Sequence, residues 1–372
     1  MKALLVTIFK VPNFGSVLQA YATLQTLVNM GVDVEVLNYD HINSEWSVAH
    51  GVPRQGLKNK IGRLLGLKSH HRKEKKLSRF ISKHFSLTCL CRNHRTIKTI
   101  ADGKYDLYVV GSDQVWNTRF TNCDPTYLLD FVTDGKARCI SLSSSFASKV
   151  LDEAYRKTFE KSLKKFSHLS VRESNGVDIL KGLGYNDAHL ILDPTLLLSA
   201  AQWNKLREKN TCSGEKYILL YMLTYAFEPR PLIFEVLKFY QQKLGCKIIA
   251  IEGYEDCNGQ TNLEIDDATD SSISDFLSLF ANASMVVTSS FHGTAFALNY
   301  GRPLVSITPS GGDDRQSNIL NQLGLLQCRL KVSEGITMES LNPFYDAIEE
   351  QKNLQRLREG SLLWIRQSLN EN

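Results

Sequence analysis

Residues 2–37 read KALLVTIFKVPNFGSVLQAYATLQTLVNMGVDVEVL and place a helical pattern between two short apolar runs. The first run, residues 3–9, is almost wholly apolar, which is typical of a strand buried on both faces. Residues 16–30 carry apolar side chains at helical spacing behind a capping Asn13. Residues 32–37 alternate apolar and acidic side chains, as a second strand does. This order of strand, helix and strand predicts the start of a doubly wound α/β domain.

The same alternation of short apolar runs and longer helical patterns continues along the chain. A polar stretch, residues 207–216, interrupts it and predicts a linker, after which a second series begins. We therefore predict an α/β fold of two doubly wound, Rossmann-like domains facing a cleft, as in the glycosyltransferase-B arrangement. The predicted domains are 1–205 and 206–344, and residues 345–372 are predicted to form a helix that packs back on the first domain.

Composition is typical of a soluble globular protein, with 372 residues of which 43% are hydrophobic and 22% charged. A net charge of +5 is small for this length, so no nucleic-acid partner is predicted. The eight cysteines lack zinc-ligand spacing, so no metal is predicted, and we expect reduced thiols in a cytoplasmic protein. The N-terminal apolar run is too short for a secretory signal, and none reaches the roughly 18 apolar residues of a membrane span.

One stretch, residues 52–79, breaks the alternation with ten lysines and arginines against the single acid Glu74. Three interpretations are open. It is a solvated, mobile insertion in the first domain, or an interfacial segment attracted to an anionic membrane or a lipid-linked acceptor. A nucleic-acid-binding segment ranks last, because no known module surrounds it. The second interpretation predicts peripheral contact at the inner face of the membrane, lost on neutralising Lys73, Lys75 and Lys76.

The strongest chemical motif is residues 285–298, MVVTSSFHGTAFAL, where a buried strand runs into the start of a helix. The backbone N–H groups and the positive end of the helix dipole suit an anion at such a turn. His292 would donate to a phosphate or carboxylate, or move a proton. Gly293 would let a ligand approach the backbone closely. Alternatively, the serines only cap the helix and His292 is a satisfied polar residue. The candidate binding residues of this turn are Ser289, Ser290, Gly293 and Thr294.

A second motif, residues 105–117, YDLYVVGSDQVWN, has a strand that ends at Gly111 and a polar loop beyond it. Ligands of α/β proteins bind at the carboxyl ends of strands, so Asp113, Trp116 and Asn117 are candidates. Asp113 would orient or deprotonate a sugar hydroxyl, and Trp116 would stack on a sugar ring. The alternative is a capping aspartate with Trp116 in the core.

The loop after the first strand, residues 10–16, lacks the glycine patterns of dinucleotide-binding folds and P-loops. Neither a nicotinamide cofactor nor nucleotide hydrolysis is therefore indicated. Its position makes Asn13, Gly15 and Ser16 candidates at a helix start facing the cleft. A plain helix-capping turn explains them equally well.

A further strand end carries Arg172, whose planar guanidinium suits a carboxylate or a phosphate. The neighbouring Glu173 would cap the following helix or pair with a base. An Arg-Glu pair by itself is weak support for a site.

Taken together, these segments resemble the polysaccharide pyruvyl transferase family along nearly the whole chain. The segments that carry the resemblance are NFGSVLQAYA (13–22), LNYD (37–40), GSDQVWN (111–117), SVRE (170–173), LDPT (192–195), SFHGTAFA (290–297), Arg302-Pro303, and Arg315 with Asn318 before LGL (323–325). The resemblance implies a glycosyltransferase-B fold. It also implies transfer of pyruvate from phosphoenolpyruvate to two hydroxyls of a sugar, as a ketal on a surface polysaccharide or its lipid-linked precursor.

The resemblance further implies residue roles. It assigns the catalytic histidine to His292 and a substrate-binding arginine to Arg172. Ser290 stands where some members have an arginine, so either Arg315 or backbone amides replace that contact, or the donor differs. In the mechanism this implies, His292 protonates the enol methylene and Asp113 orients or deprotonates the acceptor, with no metal or cofactor. A homo-oligomer is left open.

Two other functions remain open from the sequence. One is a nucleotide-sugar glycosyltransferase of the same fold, which would need an acidic residue near the ribose, such as Asp266, Asp267 or Asp270. The other is a ligand-binding paralogue without turnover.

Overall fold

A computed structural model of the chain describes residues 1–52, 69–208, 214–257, 259–311, 315–333 and 341–370. They divide into two compact units. The first takes the described residues within Met1–Ile61, Arg79–Leu197 and Leu357–Asn372, and the second takes those within Gly62–Ser78 and Leu198–Arg356. Residues 209–213 of the predicted linker and residues 53–68 of the predicted basic insertion lie outside the described residues.

The first unit is built on a parallel sheet, which has five strands among the described residues, in the order β2-β1-β3-β4-β5. A separate parallel pair, β6-β7, accompanies it. The strands are β1 (Lys2–Val6), β2 (Asp33–Val36), β3 (Leu107–Val110), β4 (Arg138–Ser141), β5 (Phe166–His168), β6 (Ser170–Val171) and β7 (His189–Leu190). The helices are α1 (Phe14–Asn29), α2 (Glu45–Ala49), α3 (Ser69–His84), of which only Arg79–His84 belongs to this unit, α4 (His94–Ala101), α5 (Thr118–Thr121), α6 (Glu153–Ser162), α7 (Ser174–Gly182) and α8 (Pro194–Leu197).

The second unit is built in the same way. Its described strands form a six-stranded parallel sheet in the order β10-β9-β8-β11-β12-β13. They are β8 (Tyr217–Tyr221), β9 (Lys247–Glu252), β10 (Ile265–Asp267), β11 (Met285–Thr288), β12 (Leu304–Thr308) and β13 (Arg329–Lys331). The helices are α9 (Ala200–Trp203), α10 (Leu232–Leu244), α11 (Tyr254–Cys257), α12 (Ile273–Asn282), α13 (Phe291–Asn299), α14 (Arg315–Gln322) and the long α15 (Ala347–Asn370).

The central strands of both sheets are buried on both faces, as β3, β8, β11 and β12 illustrate throughout their length. Such strands read as continuous apolar runs, which is why the sequence pattern predicts them within a residue or two. The predicted class of two doubly wound, Rossmann-like α/β domains is confirmed.

Each sheet has one place where the chain reverses its direction of travel across the sheet. In the first unit β1 pairs with both β2 and β3, and in the second β8 pairs with both β9 and β11. The carboxyl ends of the two strands at such a switch point leave a crevice, where open α/β sheets bind ligands. The loops after β3 and β11 therefore lie where a site is expected in each unit.

The described part of the basic stretch differs from a solvated insertion in the first domain. Residues 69–78 belong to the second unit, and Lys73 is buried there with its ammonium 2.7 Å from a carboxylate oxygen of Glu252. An acid 179 positions further along the chain holds this segment in place, a partnership that local patterning does not reveal.

Helix α15 contributes to the first unit from Leu357 onward. Ser361 Oγ accepts from the Leu192 amide at 3.0 Å, and Arg358 donates to the Leu196 carbonyl at 2.7 Å. The Leu369 carbonyl accepts from Arg138 at 2.8 Å. These bonds satisfy backbone groups that would otherwise be buried without partners. Of the described helices, none is both long enough and apolar enough to cross a membrane.

A buried carboxylate, Asp124, joins several loops of the first unit. Its Oδ2 accepts from the Tyr39 hydroxyl at 2.7 Å and lies 3.2 Å from His41 Nδ1, while Oδ1 lies 3.1 Å from His94 Nε2. The Thr126 amide adds a bond of 2.9 Å. Burial alone would raise the pKa of Asp124, but the hydrogen bonds from the two histidines and the tyrosine hold that pKa well below its usual range.

We predict that Asp124→Asn lowers the free energy of unfolding by about 1–3 kcal/mol at neutral pH, because the amide cannot accept all these bonds. Because the pKa of Asp124 is lower in the folded state than in the unfolded state, the ionised carboxylate stabilises the fold above pH about 3.9, the pKa of an unfolded aspartate. This contribution is lost as the pH falls below that value. The difference in the free energy of unfolding between wild type and variant, measured by urea titration, should therefore become smaller from pH 5 to pH 3. The exposed Asp130→Asn is the control. A gap independent of pH would contradict the ionised role of Asp124.

Candidate functional site

Asp113 lies at the switch point of the first sheet, in the loop that follows β3 and two residues after Gly111. Its backbone is left-handed, with φ of +70°, a conformation that a non-glycine residue adopts at some cost in energy. Ser16 Oγ donates to Asp113 Oδ2 at 2.6 Å, and the Gln114 amide donates to Oδ1 at 2.9 Å. The structure thus brings together two predicted site residues that stand 97 positions apart.

The neighbouring candidates act mainly as caps. Asn13 caps α1 by accepting from the Ser16 amide at 3.2 Å, and Gly15 is buried in the first turn of that helix. Asn117 caps α5, and its side-chain amide donates to Gln114 Oε1 at 2.7 Å. These residues fix the loops around Asp113, as the capping interpretation predicts for Asn13 but not for Asn117.

Trp116 lies in the core and not in a sugar-binding position, which corrects the stacking hypothesis. Its side chain is 1% exposed, and its indole N–H donates to the Tyr127 carbonyl at 3.0 Å. The ring packs against Phe146 and Phe159, with centroids 5.2 and 6.2 Å away. No ring face remains for a sugar, because the ring is enclosed by core side chains.

Arg172 is also placed differently from the prediction. Its side chain is 0% exposed and is surrounded by three carboxylates: Nη1 lies 2.7 Å from Asp193, Nη2 lies 3.6 Å from Asp113, and Nε lies 3.8 Å from Glu173. Burial would lower the pKa of Arg172, but the three carboxylates together raise it above the usual value. Arg172 is therefore a buried counter-ion shared by Asp113, Asp193 and Glu173, and its side chain has no exposed surface in this structure.

Asp193 is the site-forming residue that sequence reasoning missed. Its carboxylate accepts from Ser112 Oγ at 2.9 Å and from Thr195 Oγ1 at 2.6 Å, in addition to its pair with Arg172. On the other side of the guanidinium, Glu173 Oε1 accepts from the Phe146 amide at 2.8 Å. Asp193 belongs to the LDPT segment (192–195), which carried the family resemblance but was assigned no role in the site.

The turn after β11 carries the second group of candidates. Ser290 caps α13 by accepting from the Gly293 amide, and the Ser290 amide donates to Thr288 Oγ1 at 3.0 Å. Ser289 Oγ donates to the Leu223 carbonyl at 2.9 Å and accepts from the Leu223 amide at 2.8 Å. The Ser289 hydroxyl thus holds the turn against Leu223, just beyond β8, whereas the Ser290 hydroxyl caps α13, as the capping interpretation predicts for Ser290 alone. They present His292 in the first turn of the helix, where it is 7% exposed.

Gly293 and Thr294 serve the packing of the second unit, which corrects their predicted contact with a ligand. A Cβ built on Gly293 would overlap the Thr288 hydroxyl and would lie 2.8 Å from the Tyr221 ring. The close approach is therefore between α13 and its own sheet. Thr294 is fully buried, and its hydroxyl lies 2.7 Å from that of Ser306.

We predict that Gly293→Ala lowers the free energy of unfolding by about 1–3 kcal/mol or more, because the added methyl must displace backbone or a β-branched side chain. Urea denaturation would measure it. Gly360→Ala is the matched control, since Gly360 also lies within a helix but a Cβ there meets nothing within 4 Å. The control should stabilise the protein by about 0.5–1 kcal/mol. Equal effects of the two substitutions would refute the packing role.

Arg315 completes the group in the second unit. Its guanidinium carbon lies 5.9 Å from the centre of the Phe291 ring, within the range of a cation–π contact. The Phe291 ring in turn lies 5.3 Å from the His292 imidazole. A permanent cation, an imidazole and the positive end of a helix dipole thus converge at one switch point, an arrangement that favours an anion. Among the described residues, no cluster of three or more metal-ligating side chains occurs.

Solved structures with a similar fold include two sugar-nucleotide epimerases. UDP-GlcNAc 2-epimerase from Neisseria meningitidis, bound to UDP-GlcNAc, is 10% identical with a TM-score of 0.55, and the match covers 100% of both chains. UDP-GlcNAc 2-epimerase from Methanocaldococcus jannaschii, in complex with UDP-GlcNAc and UDP, is 15% identical with a TM-score of 0.51, over 97% of this chain and 100% of that one. These likenesses show the fold, which is of the glycosyltransferase-B type.

No curated protein matches the chain. A family model described as polysaccharide pyruvyl transferase matches residues 13–311, which include both switch-point loops. The chain therefore belongs to the polysaccharide pyruvyl transferase family.

Proposed function

We propose that this protein transfers a pyruvyl group from phosphoenolpyruvate to two hydroxyls of a sugar and forms a ketal in the biosynthesis of a surface polysaccharide or glycan. Membership of a transferase family supports an enzyme. The observation that carries the donor is Arg315 beside Phe291 and His292 at the start of α13. Arg315 supplies a cation to the turn in which Ser290 stands where some family members have an arginine.

In the proposed mechanism, the negative charges of phosphoenolpyruvate meet the N-terminus of α13 and the Arg315 guanidinium. His292 gives a proton to the enol methylene, which becomes the methyl group and leaves an oxocarbenium-like centre at C2. A first sugar hydroxyl adds to C2 and loses its proton. The phosphate then leaves, and the neighbouring hydroxyl adds to C2 and loses its proton to close the ketal. The products are the ketal and inorganic phosphate.

Asp113 is the residue we propose to orient or deprotonate the acceptor hydroxyl. A carboxylate used in this way must be held in one geometry. The short bond from Ser16 and the proximity of Arg172 provide that restraint, and the positive φ at Asp113 is sustained by them. The scheme requires neither a metal nor a cofactor, and the acceptor is a sugar, an oligosaccharide or a lipid-linked glycan.

A lipid-linked acceptor would favour a cytoplasmic protein at the inner face of the membrane. Lys73 and Lys76 are engaged by acidic partners in the second unit, so peripheral contact would depend on exposed residues such as Lys75 and Arg79. Co-sedimentation with anionic vesicles that is lost in Lys75→Ser/Arg79→Ser would support this. Unchanged sedimentation would exclude these residues.

A nucleotide-sugar glycosyltransferase is the second candidate, because the two solved epimerases above bind UDP-GlcNAc. Thermal unfolding separates the two functions. Phosphoenolpyruvate at 100 times its dissociation constant should stabilise the fold by about 2.7 kcal/mol, and UDP-GlcNAc should leave the transition unchanged. Stabilisation by UDP-GlcNAc alone would favour the glycosyltransferase. Stabilisation by phosphoenolpyruvate without phosphate release, across a panel of glycan acceptors, would favour a binding paralogue.

A further inference from the structure

The second unit has a place suited to a nucleotide, at the end of its second strand. In a Rossmann-like βαβ unit, an acid at the end of the second strand binds the ribose hydroxyls of a nucleotide. Here β8, α10 and β9 form that unit, and Glu252 is the last residue of β9. Strands β9 and β11 are separated by β8 alone, so their ends are about 10 Å apart. A nucleoside diphosphate could span that distance from Glu252 to the start of α13.

Glu252 is already bound by the chain itself. Lys73 Nζ, on helix α3, lies 2.9 Å from Oε1 and 2.7 Å from Oε2 of Glu252, so that it engages both carboxylate oxygens. The Lys73 side chain is 4% exposed. Burial raises the pKa of Glu252, although Lys73 acts in the opposite direction. Ribose hydroxyls would have to displace a charge-assisted, buried partner.

A second acid nearby is engaged in the same way. Arg72 Nε lies 2.7 Å from Asp270 Oδ2, and Lys76 Nζ donates to the Asp270 carbonyl at 2.6 Å. The hydrogen bond from Arg72 is the main reason that the pKa of Asp270 lies below its usual value. The acid at the end of β9 and the acid just after β10 are thus neutralised by three cations from little more than one turn of α3. Surface pairs contribute little individually, but here they flank a buried one.

We propose that Arg72, Lys73 and Lys76 occupy the nucleotide position of the second unit and thereby restrict the site at α13 to small anions without a nucleoside. This inference rests on the proposed function for the identity of the small anion, phosphoenolpyruvate. Lys73 is the specificity-determining residue, because it forms an ion pair with Glu252, the acid to which the ribose hydroxyls would bind. Arg72 and Lys76 hold α3 against Asp270 so that Lys73 stays in place.

The test is calorimetric titration of the full chain with UDP and, separately, with phosphoenolpyruvate. Wild type should bind UDP at least about tenfold more weakly than Arg72→Ser/Lys73→Ser/Lys76→Ser. The additional substitution Glu252→Gln should abolish the gain, since the amide is a poorer partner for ribose hydroxyls. Lys75→Ser, an exposed residue on the same helix, should bind UDP as wild type does.

A second variant covers the case in which the triple variant does not fold. Lys73→Glu/Glu252→Lys keeps a pair of reversed sign, and it should still exclude UDP. Tight UDP binding by wild type that is lost in Glu252→Gln would overturn the proposal, as would a folded triple variant with no gain in affinity. The titration with phosphoenolpyruvate is read separately. Exclusion of UDP together with no binding of phosphoenolpyruvate would refute the proposed donor and leave the role of Lys73 intact.

Discussion

Replacing His292 by glutamine should reduce phosphate release from phosphoenolpyruvate by about 10²–10⁴-fold, the contribution of a positioned general acid. Glutamine is similar in size and retains a hydrogen-bond donor, but it cannot give up a proton at neutral pH. Because the cap at Ser290 and the cation of Arg315 remain, phosphoenolpyruvate should still stabilise the variant thermally. The change should therefore appear in kcat and not in KM.

The control for this experiment is His50→Gln, an exposed histidine outside both switch-point loops. Its turnover should match that of wild type. A folded His292→Gln variant that retains more than about a tenth of wild-type turnover would exclude His292 as the general acid.

Replacing Arg172 by methionine should lower the free energy of unfolding by about 3–5 kcal/mol, because it leaves Asp193, Asp113 and Glu173 buried without their counter-ion. Methionine fills a similar volume, so the loss is mainly electrostatic. Some stability should return as the pH falls from 7 to 5, because the unpaired carboxylates can then bind protons more readily. Denaturant titrations at the two pH values measure both effects.

Two further variants sharpen the experiment. Arg156→Met removes an exposed i,i+4 pair with Glu160 and should change stability by less than about 1 kcal/mol. Arg172→Lys should recover only part of the loss, because a single ammonium cannot face three carboxylates as a planar guanidinium does. If Arg172→Met were as stable as Arg156→Met, the buried counter-ion would have no structural role.

The features that the sequence predicted well depend on the pattern of neighbouring residues along the chain. Strand β11 is a continuous apolar run because both of its faces are covered, and the turn after it has Ser290 at the capping position. The same holds for Asn13 before α1. Periodicity and capping chemistry therefore sufficed for the fold class and for the two loops that carry the candidate site.

The features that the sequence did not predict depend on partners far along the chain. Gly293 is required by Thr288 on the preceding strand and also by Tyr221 on the adjacent strand, 72 positions earlier, and Lys73 is bound by Glu252, 179 positions away. From the sequence, the Trp116 ring suits either stacking on a sugar or burial in the core, and only its packing against Phe146 decides between the two. No local pattern distinguishes these possibilities, because the same side chain suits both environments.

Helix α15 has a consequence for the order in which the two units fold during synthesis. The residues from Leu357 onward belong to the first unit, yet they follow the entire second unit in the chain. A nascent chain therefore emerges before the Leu192 amide and the Leu196 carbonyl can bond to Ser361 and Arg358. The second unit can be completed before the first, although domains of nascent chains usually mature from the N-terminus onward. The unit that begins first along the chain is therefore the one that is completed last.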